Sequence, residues 1–596
     1  NFISIRGAPS EFTAITVDGV SLPSTSPDTR AIDLGTIPSD VVAQVEVSKT
    51  LLPNQEADSI AGSVNLTTRS PFDNPRLRVN ASGGISHNEF GNTSDWRASG
   101  AISNVWGNVG ALISASYSQT DRRVDNVESI WETVTRPEGD EIITVVENEL
   151  KDYDTRRERI GLTGALEFRP DSLNKLYVRG TFARRVDDEF RNLLLITYED
   201  GAIQPGASEG RATWNRGRFA KEFRHRIVRD ATFTLTGGGE HELPGRLAFD
   251  YAGSYTRAKQ DYPFRSQLQY RSNVRPNLSY DYTGNPNFPA LSLFQTQEHL
   301  NPANYDFRQN TFRSQDTIQE EFAFQTNFRI PGRMFGYEAS FQVGARARLR
   351  DVSVDEERYR DRRGAAAPTT PLAGLLSNEE ARNFDYFLGQ KFDSDLVRAY
   401  FEDIRAFSQV PATRRIAQSV EADYEAKEEV YAAYAMTRVE FPNSNLILGL
   451  RMEHTSFAGR APRFNSVTET FTLENARANY TSWFPNATLR HEFNENLIGR
   501  VALTRAIARP NYRDVVPRIT ENSDSQSATI EVSRGNPDLK PTLSNNIDVG
   551  LEYYFRPLGL LSAAFFYKDL EDYEFEIIRP GEFAGLPARI REKGNA

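Results

Sequence analysis

The chain is 596 residues long, with a net charge of −11 and no cysteine. Its charges of both signs are scattered, which excludes a basic face for nucleic acid. The lack of cysteine excludes disulfides, thiolate metal sites and a cysteine nucleophile, and suits an oxidising compartment.

No run of about 18 apolar residues occurs, so no transmembrane helix is expected. Phe and Tyr number 37 and 24, against three Met. Both aromatics suit strands and membrane interfaces. The chain starts at Asn1 in "NFISIRG", already inside a strand pattern, and stops at Ala596 in "REKGNA". It is expected to be part of a longer protein, cut at both ends.

Residues 1–75 hold four short β segments, "FISIRG", "EFTAITVDGV", "VVAQVEVSK" and "GSVNLTTR". Asp18-Gly19 and Pro38-Ser39-Asp40 are turn signals, and Ser39 or Asp40 carries a helix N-cap signature. The expectation is a small α/β domain over 1–75. Its last two segments are joined by "LLPNQEADSIAG", which is mostly small and polar.

From residue 76 a β-hairpin unit recurs seven times. "WRASGAISNVWGNVGALISASYSQTDR" is the first copy and "NIDVGLEYYFRPLGLLSAAFFYKDL" the last. In "RLAFDYAGSY", Leu247, Phe249, Tyr251 and Tyr255 point one way, and Ala248, Asp250, Ala252 and Ser254 the other. In "LIGRVALTR", Leu497, Val501 and Leu503 oppose Ile498, Arg500, Ala502 and Thr504.

With one strand over 76–86 before the hairpins, fifteen whole strands are predicted, and a sixteenth starting near Ala588. Strands of about ten residues can cross a bilayer at a tilt. The connections alternate between short turns and long loops, the latter near 121–156, 187–229, 260–316, 351–423, 456–481 and 506–543. Phe168, Phe328, Phe441, Phe493 and Phe555 flank the short turns, as an interfacial girdle would.

A soluble all-β protein would alternate in the same way. A propeller, though, repeats at a fixed period, and these hairpins do not. The predicted fold class is an all-β transmembrane β-barrel over 76–596, incomplete at its C-terminal side, since lipid does not tolerate open sheet edges. Such a barrel is too wide to fill with its own side chains. The domain over 1–75 is the object expected to fill it.

The run "IRG…TVDGV…IPSDVVAQVEVSK…GSVNLTTR" resembles the plug domain of TonB-dependent outer-membrane receptors. "GLRMEHT" (449–455), "LTRAIARPNY" (503–512) and "RGNPDLKPTLSNNIDVGLEYYF" (534–555) resemble the second half of the same family's barrel. Many members read "EVxKG" and then bridge with "YG". Here Thr50 replaces that Gly and "LLPNQEADSIAG" is the bridge, similar to the branch described from Caulobacter- and Xanthomonas-like bacteria, often associated with carbohydrate-type nutrients.

The resemblance implies about 22 antiparallel strands, about 15 of them present, around a small N-terminal α/β plug domain in the lumen. It implies active transport across the outer membrane of a Gram-negative cell by a lipid-embedded monomer. TonB would act through an N-terminal segment absent from this chain. It implies no enzyme activity, no cofactor and no nucleic-acid partner. Alternatives of another class are a passive porin or an adhesin barrel. A porin constricts its lumen with a barrel loop and has no separate N-terminal α/β unit.

The resemblance also points to plug–barrel anchoring by Arg6 and Lys49. Glu453 and Glu552 are the expected partners on the wall. For substrate binding, Tyr270, Tyr280, Tyr282 and Phe288 stand among Asn and Gln in 261–316. Rings beside amides suit sugars, so a carbohydrate-type cargo such as an oligosaccharide is expected before a ferric siderophore or cobalamin.

In 351–423 a helix is predicted, capped at Ser377 with Glu380. The six histidines (His87, His225, His241, His299, His454, His491) have no metal-ligand spacing. "GGG" at 237–239 precedes no helix and is not a phosphate loop.

Overall fold

The computed structural model describes residues 2–37, 42–362, 370–405, 419–465, 468, 470–521, 530–555, 557–583 and 586–596. The predicted turn and N-cap at Pro38, Ser39 and Asp40 lie outside these.

The plug is a four-stranded sheet. Thr13–Val17 pairs antiparallel with Val20–Ser21 and parallel with Gly62–Thr68, whose other edge carries Val42–Ser48. Thr13, Ile15, Thr16 and Val17 are β-branched, which favours strand. The Asp18-Gly19 turn holds φ of +50° and +80°, the paired left-handed geometry of a two-residue hairpin. Ile5, Ile15, Val17, Leu22, Ala61, Val64 and Leu66 form the plug's own core.

The wall is one sheet of fifteen strands, from Arg78–Asn88 at one edge to Gly559–Glu571 at the other, each antiparallel to its neighbours. The seven expected hairpins are all present. The strand near Ala588 does not extend this wall. Leu586–Asn595 hairpins with Glu574–Phe583 and lies parallel to Ile530–Arg534 in a separate four-stranded sheet. Its local alternation said strand, and only the tertiary partner decided which sheet.

The apolar face of the wall points outward. Val501 and Leu503 are 41% and 50% exposed, while Ala502 between them is 5% exposed. A water-soluble sandwich would bury the apolar side instead. Outside a lumen, this face is what lipid requires. Phe168, Phe493 and Phe555 are exposed beside the short turns, and Phe441 packs edge-on against Tyr337 at 4.8 Å; Phe328, expected among them, is exposed but sits within its strand, because the turn falls at Phe335-Gly336.

Several strands are far longer than a bilayer needs. Glu141–Phe168 has 28 residues and Tyr305–Met334 has 30, where about 9–11 suffice. The expected long loops are therefore largely outward extensions of the strands. The connection over 121–156, for instance, is almost wholly the continued hairpin of Val109–Thr135 with Glu141–Phe168. These extensions carry their own apolar core, with Tyr198, Phe219, Phe223, Leu268 and Leu278 fully buried.

Candidate functional site: the plug–wall seam and the outer mouth

The "LLPNQEADSIAG" bridge meets the wall through its two acids. Glu56 pairs with Arg346 at 2.5 Å and Arg348 at 2.8 Å. Asp58 reaches Arg348 and Arg509, both at 3.3 Å. Arg509 continues to Glu453 at 2.8 Å, and Glu453 also holds Arg451 at 2.7 Å. Arg350 pairs with Glu321 at 2.5 Å.

A third plug residue, Arg30, closes the network from above. It binds Glu428 at 2.8 Å and lies 3.8 Å over the Tyr512 ring. Its Nε donates to the Pro510 carbonyl at 2.6 Å, and its backbone N–H donates to Asn511 Oδ1 at 2.8 Å.

Arg348, Arg350, Arg451, Arg509, Glu321, Glu428 and Glu453 are buried, Arg30, Glu56, Asp58 and Arg346 are largely so, and each is paired, the condition under which an ionic cluster holds. Burial alone would push the Glu56 carboxyl up. The Arg346 and Arg348 guanidiniums outweigh it and hold Glu56 down to about 2.

Of the four residues expected to anchor the plug, Arg6 pairs with Asp548 of the wall and stacks 4.6 Å over Phe566. Thr50 bonds the same carboxylate at 3.2 Å. Glu453 is buried within the network and accepts from the plug backbone N–H of Ala57 at 3.3 Å.

Two expectations need correction. Glu552 pairs with Arg500 of the neighbouring strand at 3.2 Å, on the wall itself. Asp548, two alternations earlier on the same strand, takes the place assigned to it, because alternate residues share the lumen face and height along the strand selects among them. Lys49 is exposed, with no carboxylate in ion-pair range among the described residues. The bridge's carboxylates carry the contact in its stead. Glu56 and Asp58 were missed, although two acids spaced to share one face of an extended segment were a legible signal.

The plug's uppermost loop, 24–30, faces the outer mouth. Tyr424 stands at the outer end of Tyr424–Phe441, and its hydroxyl donates to the Pro27 carbonyl at 3.0 Å. The wall segment 509–518 lies across this loop. Beyond the Arg30 contacts, Arg513 pairs with Asp28. Arg518 is buried 5.9 Å from the Tyr424 ring, and donates to Thr520 Oγ1 at 2.8 Å. No carboxylate lies in ion-pair range of it among the described residues. Burial, with the Arg513 charge beside it, lowers Arg518 to about 10.

Residues 1–63 match the family model of the TonB-dependent receptor plug domain, and residues 397–582 match an outer membrane protein beta-barrel family. The chain is a TonB-dependent outer-membrane receptor. No curated protein matches it.

Among solved structures, the fold of this receptor is similar to a mutant of the ferric enterobactin receptor PfeA from Pseudomonas aeruginosa. The TM-score is 0.55 at 16% identity, over 99% of this chain and 69% of that one. It is also similar to the siderophore receptor PirA from Acinetobacter baumannii (TM-score 0.51, 13% identity, 98% and 68% covered). The ferric-catecholate import receptor Fiu from K12 E. coli matches at TM-score 0.54 and 12% identity, with 98% and 68% covered. Plug-and-barrel receptors of this family are transporters, not enzymes.

The four ring residues expected to bind substrate do not form a platform in this receptor. Tyr270 and Tyr280 are each 1% exposed. Tyr270 donates to the Thr370 carbonyl at 2.7 Å, and Tyr280 accepts from the Val145 backbone N–H at 3.0 Å. Both sit in the core of the outer extensions, where large rings supply the burial that a protruding structure needs. Tyr282 is half-buried against Trp131 at 5.5 Å. Phe288 alone is exposed, at 38%, edge-on to Phe384.

The predicted helix also moves. Ser377 lies in the strand Leu376–Asn383, and the helix is Ser394–Arg405, whose first turn is capped by Asp393 accepting from the backbone N–H of Asp395 and Leu396.

Proposed function

We propose that this receptor imports a small anionic complex of the ferric-siderophore kind, drawn inward by TonB. The observation that carries the reading is Arg518. It is a buried cation at the outer mouth, beside the plug's uppermost loop, with no carboxylate in ion-pair range among the described residues. Burying an unpaired charge is costly, and an anionic cargo would supply the missing partner. Arg513, now on Asp28, is a second cation within the same segment.

The siderophores bound by structural relatives are consistent with this class of cargo. An oligosaccharide cargo loses support with the burial of Tyr270 and Tyr280, though the exposed Phe288–Phe384 pair leaves it a smaller stacking surface.

The test is uptake by cells carrying the intact gene, with a labelled ferric tris-catecholate and labelled oligosaccharides supplied in parallel. Energy-dependent uptake of the iron complex, weakened at least tenfold in half-saturation by Arg518→Ala, is expected. Uptake of oligosaccharide alone overturns the anionic reading.

A further inference from the structure

The outward face of the wall changes chemistry along one level. On Tyr337–Arg362 the outward positions run Val343, Ala345, Ala347 and Leu349, then Asp351, Ser353 and Asp355. About 9–11 residues of strand cross the hydrocarbon core. Counted from the short turn at Phe335-Gly336, that length ends near Ala347. The switch from apolar to charged therefore marks the outer boundary of the lipid.

Two cavities lie on this face, one on each side of the boundary. The lower, of about 440 Å³, is apolar. Gly237, Gly253, Phe324 and Ala347 form one cross-strand row of it, and Leu235, Tyr255, Phe322 and Leu349 the row above. The upper, of about 370 Å³, is charged. Its first row holds Glu320, Asp351, Lys427, Ala458 and Arg477, and its second Ile318, Ser353, Glu425, Arg460 and Asn475.

These rows are consecutive. Phe322 and Leu349 of the lower cavity stand one alternation below Glu320 and Asp351 of the upper one. Tyr255 donates its hydroxyl to Glu320 at 2.6 Å across the boundary. The two cavities make one groove, apolar within the bilayer and polar outside it.

No side chain of the wall fills the lower part. A Cβ at Gly253 would meet nothing within 4 Å, and one at Gly237 would come no closer than 3.8 Å. An empty notch forfeits dispersion contacts along its whole lining, so hydrocarbon gains by entering it.

The upper part carries charges of both signs. Arg460 pairs with Glu425, Lys427 reaches Glu429 at 3.4 Å, and Arg257 reaches Glu320 at 3.6 Å. Arg477 and Asp351 are exposed, with no ion pair among the described residues. Lysine and arginine suit a phosphate, and carboxylates accept from hydroxyls. The upper cavity crosses five neighbouring strands. At the usual interstrand spacing that is about 19 Å, wider than a lone phosphoester and broad enough for a disaccharide.

We propose that this groove binds one phosphorylated glycolipid of the outer leaflet. An acyl chain lies in the notch between Tyr255 and Phe324. The phosphate sits over Ala458, between Lys427 and Arg477, and sugar hydroxyls donate to Glu320 and Asp351. Continuity with the lipid-facing wall and the order of the rows, apolar then charged, select a lipid over a protein partner. The inference rests on the outer-membrane placement of the wall and not on the cargo.

The test uses the full-length receptor in vesicles holding equal amounts of an acylated, diphosphorylated glucosamine disaccharide, phosphatidylethanolamine and phosphatidylglycerol. After extraction in mild detergent, the lipid retained is read by native mass spectrometry. One glycolipid per receptor is expected. Replacing two exposed side chains together, Lys427→Ala with Arg477→Ala, should cut its occupancy at least tenfold. Gly253→Phe, which fills the notch, should do the same. Val501→Phe, elsewhere on the lipid face, should stay within twofold of the parent. Retention of no lipid, or of either phospholipid in place of the glycolipid, overturns the proposal. So does undiminished glycolipid in either groove variant, or an equal loss in Val501→Phe.

Discussion

The two sides of the plug are held by different physics. On one side Arg30, Glu56 and Asp58 enter a buried cluster with Arg346, Arg348, Glu428 and Arg509. Nearer the short turns, Asp18, Asn65 and Thr67 line a cavity with Tyr177 and Arg179, and two ion pairs, Arg179 to Asp18 and Arg185 to Asp33, cross from wall to plug. A buried ion pair adds little over a neutral contact of the same shape, but it is very costly to break by halves. A surface whose polar groups bond within their own domain can separate without that cost. One interface therefore contains both densely and sparsely paired stretches, and charged residues stand in both.

The largest expected effect comes from breaking the fixed side. Arg348→Ala would strip one of the two cations from each of Glu56, Asp58 and Glu321, at a cost of about 3–5 kcal/mol of plug docking. Passive conductance of the full-length receptor in planar bilayers should rise sharply. Parent-like conductance would mean the cluster does not hold the plug.

Removing the upper grip is the next step down. Tyr512→Leu takes away the ring beneath Arg30 but leaves Glu428, which should cost about 1–2 kcal/mol. Conductance should rise measurably yet stay below that of Arg348→Ala. A variant leakier than Arg348→Ala would place the main anchor at Arg30 instead.

Acid tests the same side without mutation. Glu56 is held down to about 2, against an ordinary 4.5. Its folded value is depressed, so its stabilisation is complete above about pH 4.5 and is lost as the pH falls toward 2. Conductance should be flat from pH 5 to 8 and rise only below about pH 4. A rise between pH 6 and 7 would point to another titrating group.

The smallest effects sharpen the contrast. Glu552→Gln removes half of a partly exposed pair with Arg500, worth about 0–1 kcal/mol. Lys49→Ala removes an exposed charge with no ion pair among the described residues. Neither should alter conductance. A leaky Lys49→Ala would restore that residue to the anchoring set.

Local pattern carried much of this molecule. Period-two alternation placed all fifteen wall strands, and short turns with flanking Phe marked the periplasmic edge. It left open whether the apolar face was inside or outside, since a sandwich and a barrel alternate alike. The exposure of Val501 and Leu503 decided that. In the loops the same reasoning misled: Tyr270 and Tyr280 looked superfluous to packing because the strand extensions that need them as a core were read as irregular chain.

What the sequence determined by itself was set by neighbours a few residues apart: strand against turn, one face against the other, a hairpin at each short connection. What only the tertiary structure decided was which charges meet across the lumen. Glu56 and Arg348 are 292 residues apart in the chain, and Thr50 and Asp548 are 498 apart. Every second residue of a wall strand faces inward, so alternation supplies many equivalent candidates. Asp548 rather than Glu552 meets the plug because of the height at which the plug's core seats it in the wall, and no local pattern encodes that height.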